Sequence, residues 1–382
     1  MISTQTGRPS SALTRYTSLT EFAPDWIVTP GDTISDLLDE RGWTQADLAN
    51  RTGFTKKHIF QLLRGDAPIT QETAAKLEKV LGSTARFWIG LDTQYRQQLA
   101  SRAELAALAK HKYWLKELPL NDMIRFGWVS KADNVAQQVM ECLKYFAVST
   151  VDAWREVYSK PVAAYRAPAA LTRNGPAVAT WLRQGEREAA SLRCANFDRA
   201  AFQSALHSAR ALTRVHSPST FLPQLTALCA NAGVAVVVAP APKGCPVSGA
   251  TKWLSPNRAL IMLSVRGKTD DKMWFTFFHE AGHLLKHGKS LTFLDIHGKD
   301  GLHQKEEAEA DAFARDALIP QNNWNDFVQA GRFSETRVRA FASEMGIAPG
   351  IVVGRLQHDK HIPFAHLNSL KVSYTWGHDA DA

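Results

Sequence analysis

Two histidines and a glutamate in one apolar segment are the residues of this chain best placed to do chemistry. The run DDKMWFTFFHEAGHLLKHGK sets His279, Glu280 and His283 in an H-E-x-x-H pattern. Four residues make about one helical turn, so both imidazoles leave the same face and can bind one metal ion. Glu280, one position beyond the first histidine, can reach a water at that metal and serve as its base. Trp274, Phe275, Phe277, Phe278, Leu284 and Leu285 make the segment nearly all apolar, so it is expected to be buried. A buried carboxylate between two imidazoles is expensive unless the group has a task. Gly282 leaves room for a substrate or a neighbouring backbone. Asp270 or Asp271 is expected to cap this helix, and Gly288 to stop it after His287. Arg266, Lys268, Asp270 and Asp271 read as a charged loop at its entrance.

Two ligands leave the site incomplete. A metzincin would carry a histidine six residues after His283 and a glycine three after it; those positions hold Lys289 and Lys286, which excludes that class. The other source is a glutamate on a following helix, and EEAEADAFARDALIP (Glu306–Pro320) offers three. At about 100° per residue, Ala310, Ala314, Ala317 and Leu318 mark its inward face. Glu307 falls in that face and Asp311 beside it, one turn on. Glu306 lies on the flank as the next candidate. Glu309 lies nearly opposite, with Lys305 and Asp316, and is expected to be solvated. The reading is one Zn2+ per chain on His279, His283 and Glu307, with Asp311 accepting the free N–H of a ligand histidine. No organic cofactor is read from the sequence.

The elements that must hold these residues follow from pattern. A helix from Leu222 to Asn231 precedes three strand-like pieces: Gly233–Pro240 (GVAVVVAP), Ala250–Ser255 (ATKWLS) and Arg258–Val265 (RALIMLSV). The predicted fold is mainly α with a small sheet: an all-α helix-turn-helix domain, a helical middle region, and an α+β zincin-like metallopeptidase domain. The expected boundaries are a tail over 1–29, the first domain over 30–100, the middle region over 101–217, the peptidase domain over 218–370 and a tail over 371–382. The strand around Ala250–Leu254 is a candidate for pairing with an extended substrate.

The stretch KTDDKMWFTFFHEAGHLLKHGK, followed by EEAEADAFARDALIP, resembles the ImmA/IrrE metallopeptidases, and the likeness extends over roughly Phe221–Leu370. That resemblance implies zinc on His279, His283 and Glu307, Glu280 as base, and frequent association with repressor-type domains. All four residues are kept.

Such a domain stands at the other end. Ile34, Leu37 and Leu38 fall at helical spacing over Asp32–Glu40, and Gly42 ends that helix. Thr44 caps a second helix carrying Leu48 and Ala49, Gly53 makes the turn, and Thr55 caps a third with Ile59, Leu62 and Leu63 inward. Gln45 and Lys56 sit at helix N-termini, where backbone N–H groups favour phosphate. Arg51, Lys56, Lys57 and Arg64 gather round the third helix, while Asp32, Asp36, Asp39 and Glu40 crowd the first. The run from TQADLANRTG to LDTQY resembles Cro/phage-repressor domains, HigA-type antitoxins above all, through its RGDAPIT turn and LGSTARFWIGLDTQY tail. By that likeness Gln45 clamps a phosphate, and Thr55, Lys56, Lys57, His58 and Gln61 face the bases or backbone of double-stranded operator DNA. Reading two half-sites calls for a homodimer.

Composition agrees with this organisation. Of 382 residues, 45% are hydrophobic and 21% charged, the balance of a folded chain, and the net charge of +8 favours an anionic partner without requiring one. The polar first twenty residues lack a secretory core, and no run reaches the ~20 apolar residues of a membrane span. Cys142, Cys194, Cys229 and Cys245 are too dispersed for a disulfide frame or a thiolate zinc site. A cytoplasmic location is expected. His287, His297 and His303 read as helix-end or loop histidines, Cys245 as a loop thiol rather than an inhibitory zinc ligand, and the tryptophans as core. Ser334–Gln357 has a second helix-turn-helix pattern, expected to close off the peptidase domain. The functional expectation is a regulator coupling transcription to proteolysis of a repressor, an antitoxin or itself. The alternative is an antitoxin-like transcription factor whose zinc domain senses metal or binds a partner without cutting.

Overall fold

The computed structural model describes residues 28–159, 169–264, 266–288, 293–296 and 304–375. The chain divides into two compact units, Met1–Ala106 and Ala107–Ala382.

Four short helices and the start of a long one build the first unit: α1 (Pro30–Arg41), α2 (Gln45–Thr52), α3 (Lys56–Leu63), α4 (Gln71–Leu81) and α5 (Ala85–Leu108). Thr29, Thr44, Thr55 and Thr70 cap the first four, each hydroxyl accepting from the backbone N–H three residues on. This moves the start of α1 ahead of Asp32. Asp32 is instead the third residue of a capping box, returning a bond to the Thr29 N–H at 2.8 Å. Gly42 and Gly53 take the left-handed conformation that ends α1 and α2. Ile34, Leu38, Leu48, Ala49, Ile59, Leu62, Leu77 and Trp88 fill the core between them. At Gly31 an added Cβ would lie 1.8 Å from the Leu63 carbonyl oxygen, so α1 and α3 meet backbone to backbone.

The second unit opens with α6 (Lys112–Glu117), α7 (Leu120–Arg125), α8 (Val135–Phe146), α9 (Val151–Trp154), α10 (Ala169–Ser191), α11 (Arg199–Leu212) and α12 (Pro218–Ala230). Trp154 packs edge to face on both Trp114 and Phe146 among the early helices. Strands β1 (Val234–Val238), β2 (Val247–Ser255) and β3 (Arg258–Leu263) follow, then α13 (Asp270–Lys286), β4 (Phe293–Ile296), α14 (Gln304–Leu318), α15 (Gln321–Gln329), α16 (Glu335–Met345) and α17 (Pro349–His358). The sheet order is β1-β3-β2-β4, with β1 parallel to β3 and the other neighbours antiparallel.

Three of the strands match expected segments, β2 starting earlier than predicted; β4 was not anticipated. Its presence changes the reading of β2. Gly249, Ala250 and Thr251 pair with β3 on one side and with Asp295, Leu294 and Phe293 on the other. Strand addition at Ala250 and Thr251 is therefore ruled out, because both ladders there are already filled.

The sheet is covered on both faces, not merely flanked by helices. Met262 abuts Gly185 of α10, and Lys252 reaches Glu186 of the same helix. The alternate positions, Gly249 and Thr251, face α13. That explains the continuous apolar run of β1, since a strand packed on two sides has no polar face to show. Phe202 and Leu206 of α11 join Phe221 and Leu225 of α12, Val234 and Val236 of β1, and Trp274, Phe277 and Phe278 of α13 in one core. Helix α11, which the sequence grouped with the middle region, thus shares the core of the sheet. Val338 and Ala342 of α16 and Val352, Val353 and Leu356 of α17 enter the same core. The second helix-turn-helix pattern closes this unit from within.

Candidate functional site

Helix α13 is buried almost all round. Of its residues from Asp270 to Leu285, only Lys272 and Phe275 lie outside the buried set. A helix without a solvent face can hold polar groups only if they meet partners. His279, Glu280 and His283 do so on two sides.

Toward α14, the two imidazoles converge on one carboxylate. His279 Nε2 lies 3.2 Å from Glu307 Oε2, His283 Nε2 3.5 Å from Glu307 Oε1, and the two Nε2 atoms are 3.0 Å apart. One ligand atom from each of the three lies within 4.8 Å of every other. A tetrahedron with bonds of about 2.0 Å has edges of about 3.3 Å, so these separations suit a small divalent ion and the donor set suits zinc. Gly282 permits the approach of the helices: a Cβ there would come within 3.1 Å of the Ala310 Cα. The room left by Gly282 is taken by neighbouring backbone.

The other ring nitrogens are held as well. His279 Nδ1 donates to Asp311 Oδ1 at 2.9 Å, which leaves its Nε2 lone pair for a ligand. His283 Nδ1 meets His287 Nδ1 at 3.0 Å, and His287 Nε2 meets Glu309 Oε2 at 3.3 Å. Glu309 is exposed, as expected, and also meets His287. His287 is the C-cap of α13, the helix-end position expected, and from there it buttresses the His283 imidazole. Burial holds His283 below the ordinary histidine range, which favours the neutral imidazole that a metal needs. Burial pushes the Glu307 carboxyl up, but the His279 and His283 imidazoles against it outweigh that and hold it at about 2. His297 and His303 lie outside the described residues.

Toward the sheet, α13 presents Glu280, which is fully buried. The Thr251 hydroxyl lies 2.6 Å from Glu280 Oε2 and 3.0 Å from the Glu280 carbonyl oxygen. At Gly249 a Cβ would stand 2.6 Å from Glu280 Oε1 and 2.5 Å from Thr276 Cγ2. Strand β2 therefore supports the candidate base with one hydroxyl and one missing side chain. Sequence reading passed over both residues; their signal was the two-residue spacing that puts Gly249 and Thr251 on one strand face.

The entrance to α13 differs from the expected charged loop. Thr269 is the N-cap, without a side-chain bond, and Asp270 and Asp271 are buried at 1% and 8% exposure. The Asp270 N–H donates to the Val372 carbonyl, and Asp270 Oδ1 accepts from the N–H groups of Val372 and Asp271. Asp271 pairs with Lys371 at 2.6 Å, and Lys371 also donates to Gln357 Oε1. Gly350 and Gly354 of α17 make the space, since a Cβ at either would press within 2.5 Å of these carboxylates. Cys245 is buried and its thiol is pushed up to about 11, so it stays protonated and unsuited to metal.

In the first unit, Gln45 and Lys56 are the first residues of α2 and α3. Gln45, Lys56 and Lys57 are exposed, and the Thr55 hydroxyl accepts from the His58 N–H at 3.1 Å. His58 leans on Phe54, ring centroids 4.7 Å apart, and is half-buried, as is Gln61.

Comparison with known proteins agrees with this division. Residues 34–88 match the HTH_3 family model, a helix-turn-helix, and residues 230–357 match the Peptidase_M78 model, described as an IrrE N-terminal-like domain. A stretch of 66 residues is 33% identical to an uncharacterized HTH-type transcriptional regulator, YddM of Escherichia coli (strain K12), covering 17% of this chain and 70% of that protein. No helix of the described residues is long and apolar enough to cross a membrane. Through its N-terminal part the chain belongs to the helix-turn-helix family of transcriptional regulators, and it joins to that part an IrrE N-terminal-like domain of the Peptidase_M78 type.

Proposed function

We propose that this chain is a DNA-binding regulator whose second unit is a zinc-dependent endopeptidase acting on a repressor- or antitoxin-type protein, or on the chain itself. The observation that carries the reading is the convergence of His279, His283 and Glu307 on one point, with Glu280 adjacent in sequence and buried. Zinc bound by those three residues supplies Lewis-acid polarisation and acidifies water. Glu280 takes the proton from the attacking water and returns it to the leaving amine, and Thr251 keeps its carboxylate aimed. Asp311 and the His287–Glu309 pair fix the ligand rings. The first unit brings this chemistry to an operator through Gln45, Thr55, Lys56, Lys57, His58 and Gln61, as a homodimer on two half-sites.

The test is incubation of the full chain with candidate repressors from its genomic neighbourhood, beside Glu280→Gln. Cleavage by the wild type and none by the variant, with metal content and DNA binding intact in both, is the expected result. Absence of cleavage together with metal-dependent DNA affinity would replace the peptidase reading with a metal sensor.

A further inference from the structure

Phe60 stands at the middle of α3, the second helix of the motif, and is 51% exposed. Scattered exposed apolar residues are common and need no explanation. This one differs in its setting. At about 100° per residue, Lys56, Lys57 and Arg64 all lie within about 60° of it around the helix. All three are exposed, and the Arg64 guanidinium sits 5.6 Å from the Phe60 ring centroid while pairing with Asp66 at 3.3 Å. The core of the unit does not use Phe60: Ile59 and Leu62, at 0% and 2% exposure, already face inward. An aromatic ring ringed by cations on the recognition helix thus lies where a polyanion with one apolar feature would meet it. In the major groove of DNA that feature is the 5-methyl group of thymine.

We infer that Phe60 is a specificity residue of the DNA-reading surface, packing its ring on a thymine methyl in each half-site while Lys56, Lys57 and Arg64 neutralise the phosphates alongside. The inference rests on the DNA-binding reading above and sharpens it to a base. The polar candidates at His58 and Gln61 read hydrogen-bonding edges; Phe60 reads what lacks them.

The probe is a set of duplexes enriched by the full chain from a random pool at fixed salt, remade with uracil in place of each thymine in turn. Uracil removes one methyl and keeps every hydrogen-bonding group. For the wild type, one position per half-site is expected to lose about fourfold in affinity, the worth of one buried methyl. Phe60→Ala is expected to bind the thymine duplex more weakly, with the salt dependence unchanged and the uracil penalty gone. Indifference of the wild type to uracil at every position would overturn the inference, and that comparison needs no variant. So would a uracil penalty that persists in Phe60→Ala, or a change of oligomeric state in that variant, which would assign the ring to a protein contact. If the wild type enriches no sequence at all, the DNA-binding reading itself falls, and this one with it.

Discussion

Asp270→Asn should make the second unit more stable above pH 6, although it removes a charge from the start of the helix that carries His279 and His283. Asp270 is 1% exposed, and burial raises its carboxyl from an ordinary 3.8 to about 6. Bonds from the Val372 and Asp271 N–H groups oppose the rise, the neighbouring Asp271 adds to it, and Lys371 opposes it weakly. At 1.36 kcal/mol per pH unit, the fold holds this proton more tightly than the unfolded chain does by about 3 kcal/mol. The sign follows. Below pH 3.8 both states are protonated and the group is neutral to stability. Between 3.8 and 6 the unfolded chain ionises first, and stability falls. Above 6 the full loss of about 3 kcal/mol stands. Asn keeps the oxygen that accepts from Val372 and Asp271 but cannot ionise. Urea denaturation of both proteins from pH 4.5 to 7 should give a difference that grows by about 2 kcal/mol in favour of Asn. Parallel pH profiles would refute the reasoning and mean that the carboxyl ionises in the fold at no cost.

Glu307→Ala should lose its metal, whereas Glu309→Ala should retain one equivalent of zinc by elemental analysis. Asp311→Ala, which frees His279 Nδ1, should weaken metal affinity by about 10- to 100-fold in a chelator competition, and Glu309→Ala by less, because it acts through His287. Thr251→Val should lower kcat for cleavage by roughly 10- to 100-fold with KM and metal content unchanged, the range of a hydrogen bond to a charged group, and Thr251→Ser should restore it. Gly31→Ala forces a Cβ to within 1.8 Å of the Leu63 carbonyl oxygen and should destabilise the first unit by about 1–3 kcal/mol, seen as loss of DNA binding at unchanged zinc content.

How far the sequence could be read depended on whether a residue's partner was close along the chain. The caps of α1 to α4 bond three residues on, and Thr44 and Thr55 were legible for that reason. His279 and His283 share a helix, and Glu307 with Asp311 followed from the inward alanines of another, because helical phasing needs no tertiary knowledge. Glu309 shows where phasing stops. The angle that sets it away from Ala310 is right for the helix, but the partner it meets arrives on the turn after α13. Glu280 was read as a candidate base from its own position, while Thr251 and Gly249, which hold it, belong to a strand twenty-nine and thirty-one residues earlier.

The same limit explains the reversal at Asp270 and Asp271. Two adjacent aspartates beside Arg266 and Lys268 have the composition of a solvated loop, and local charge patterning alone would leave them there. What buries them is remote: Lys371, a hundred residues on, pairs with Asp271, and the backbone at Val372 both donates to and accepts from Asp270. Gly350 and Gly354 are small because these carboxylates fill the space their side chains would need. The chain after α17 is thus tied by charge and backbone bonds to the first turn of α13, one end of the helix that bears His279 and His283 at the other. Whatever shifts the segment around Lys371 must either break a buried ion pair or move that first turn with it, and breaking such a pair by loss of one partner costs about 3–5 kcal/mol. The position of His279 and His283 is therefore fixed from both sides, by β2 under Glu280 and by the Lys371 segment over Asp271.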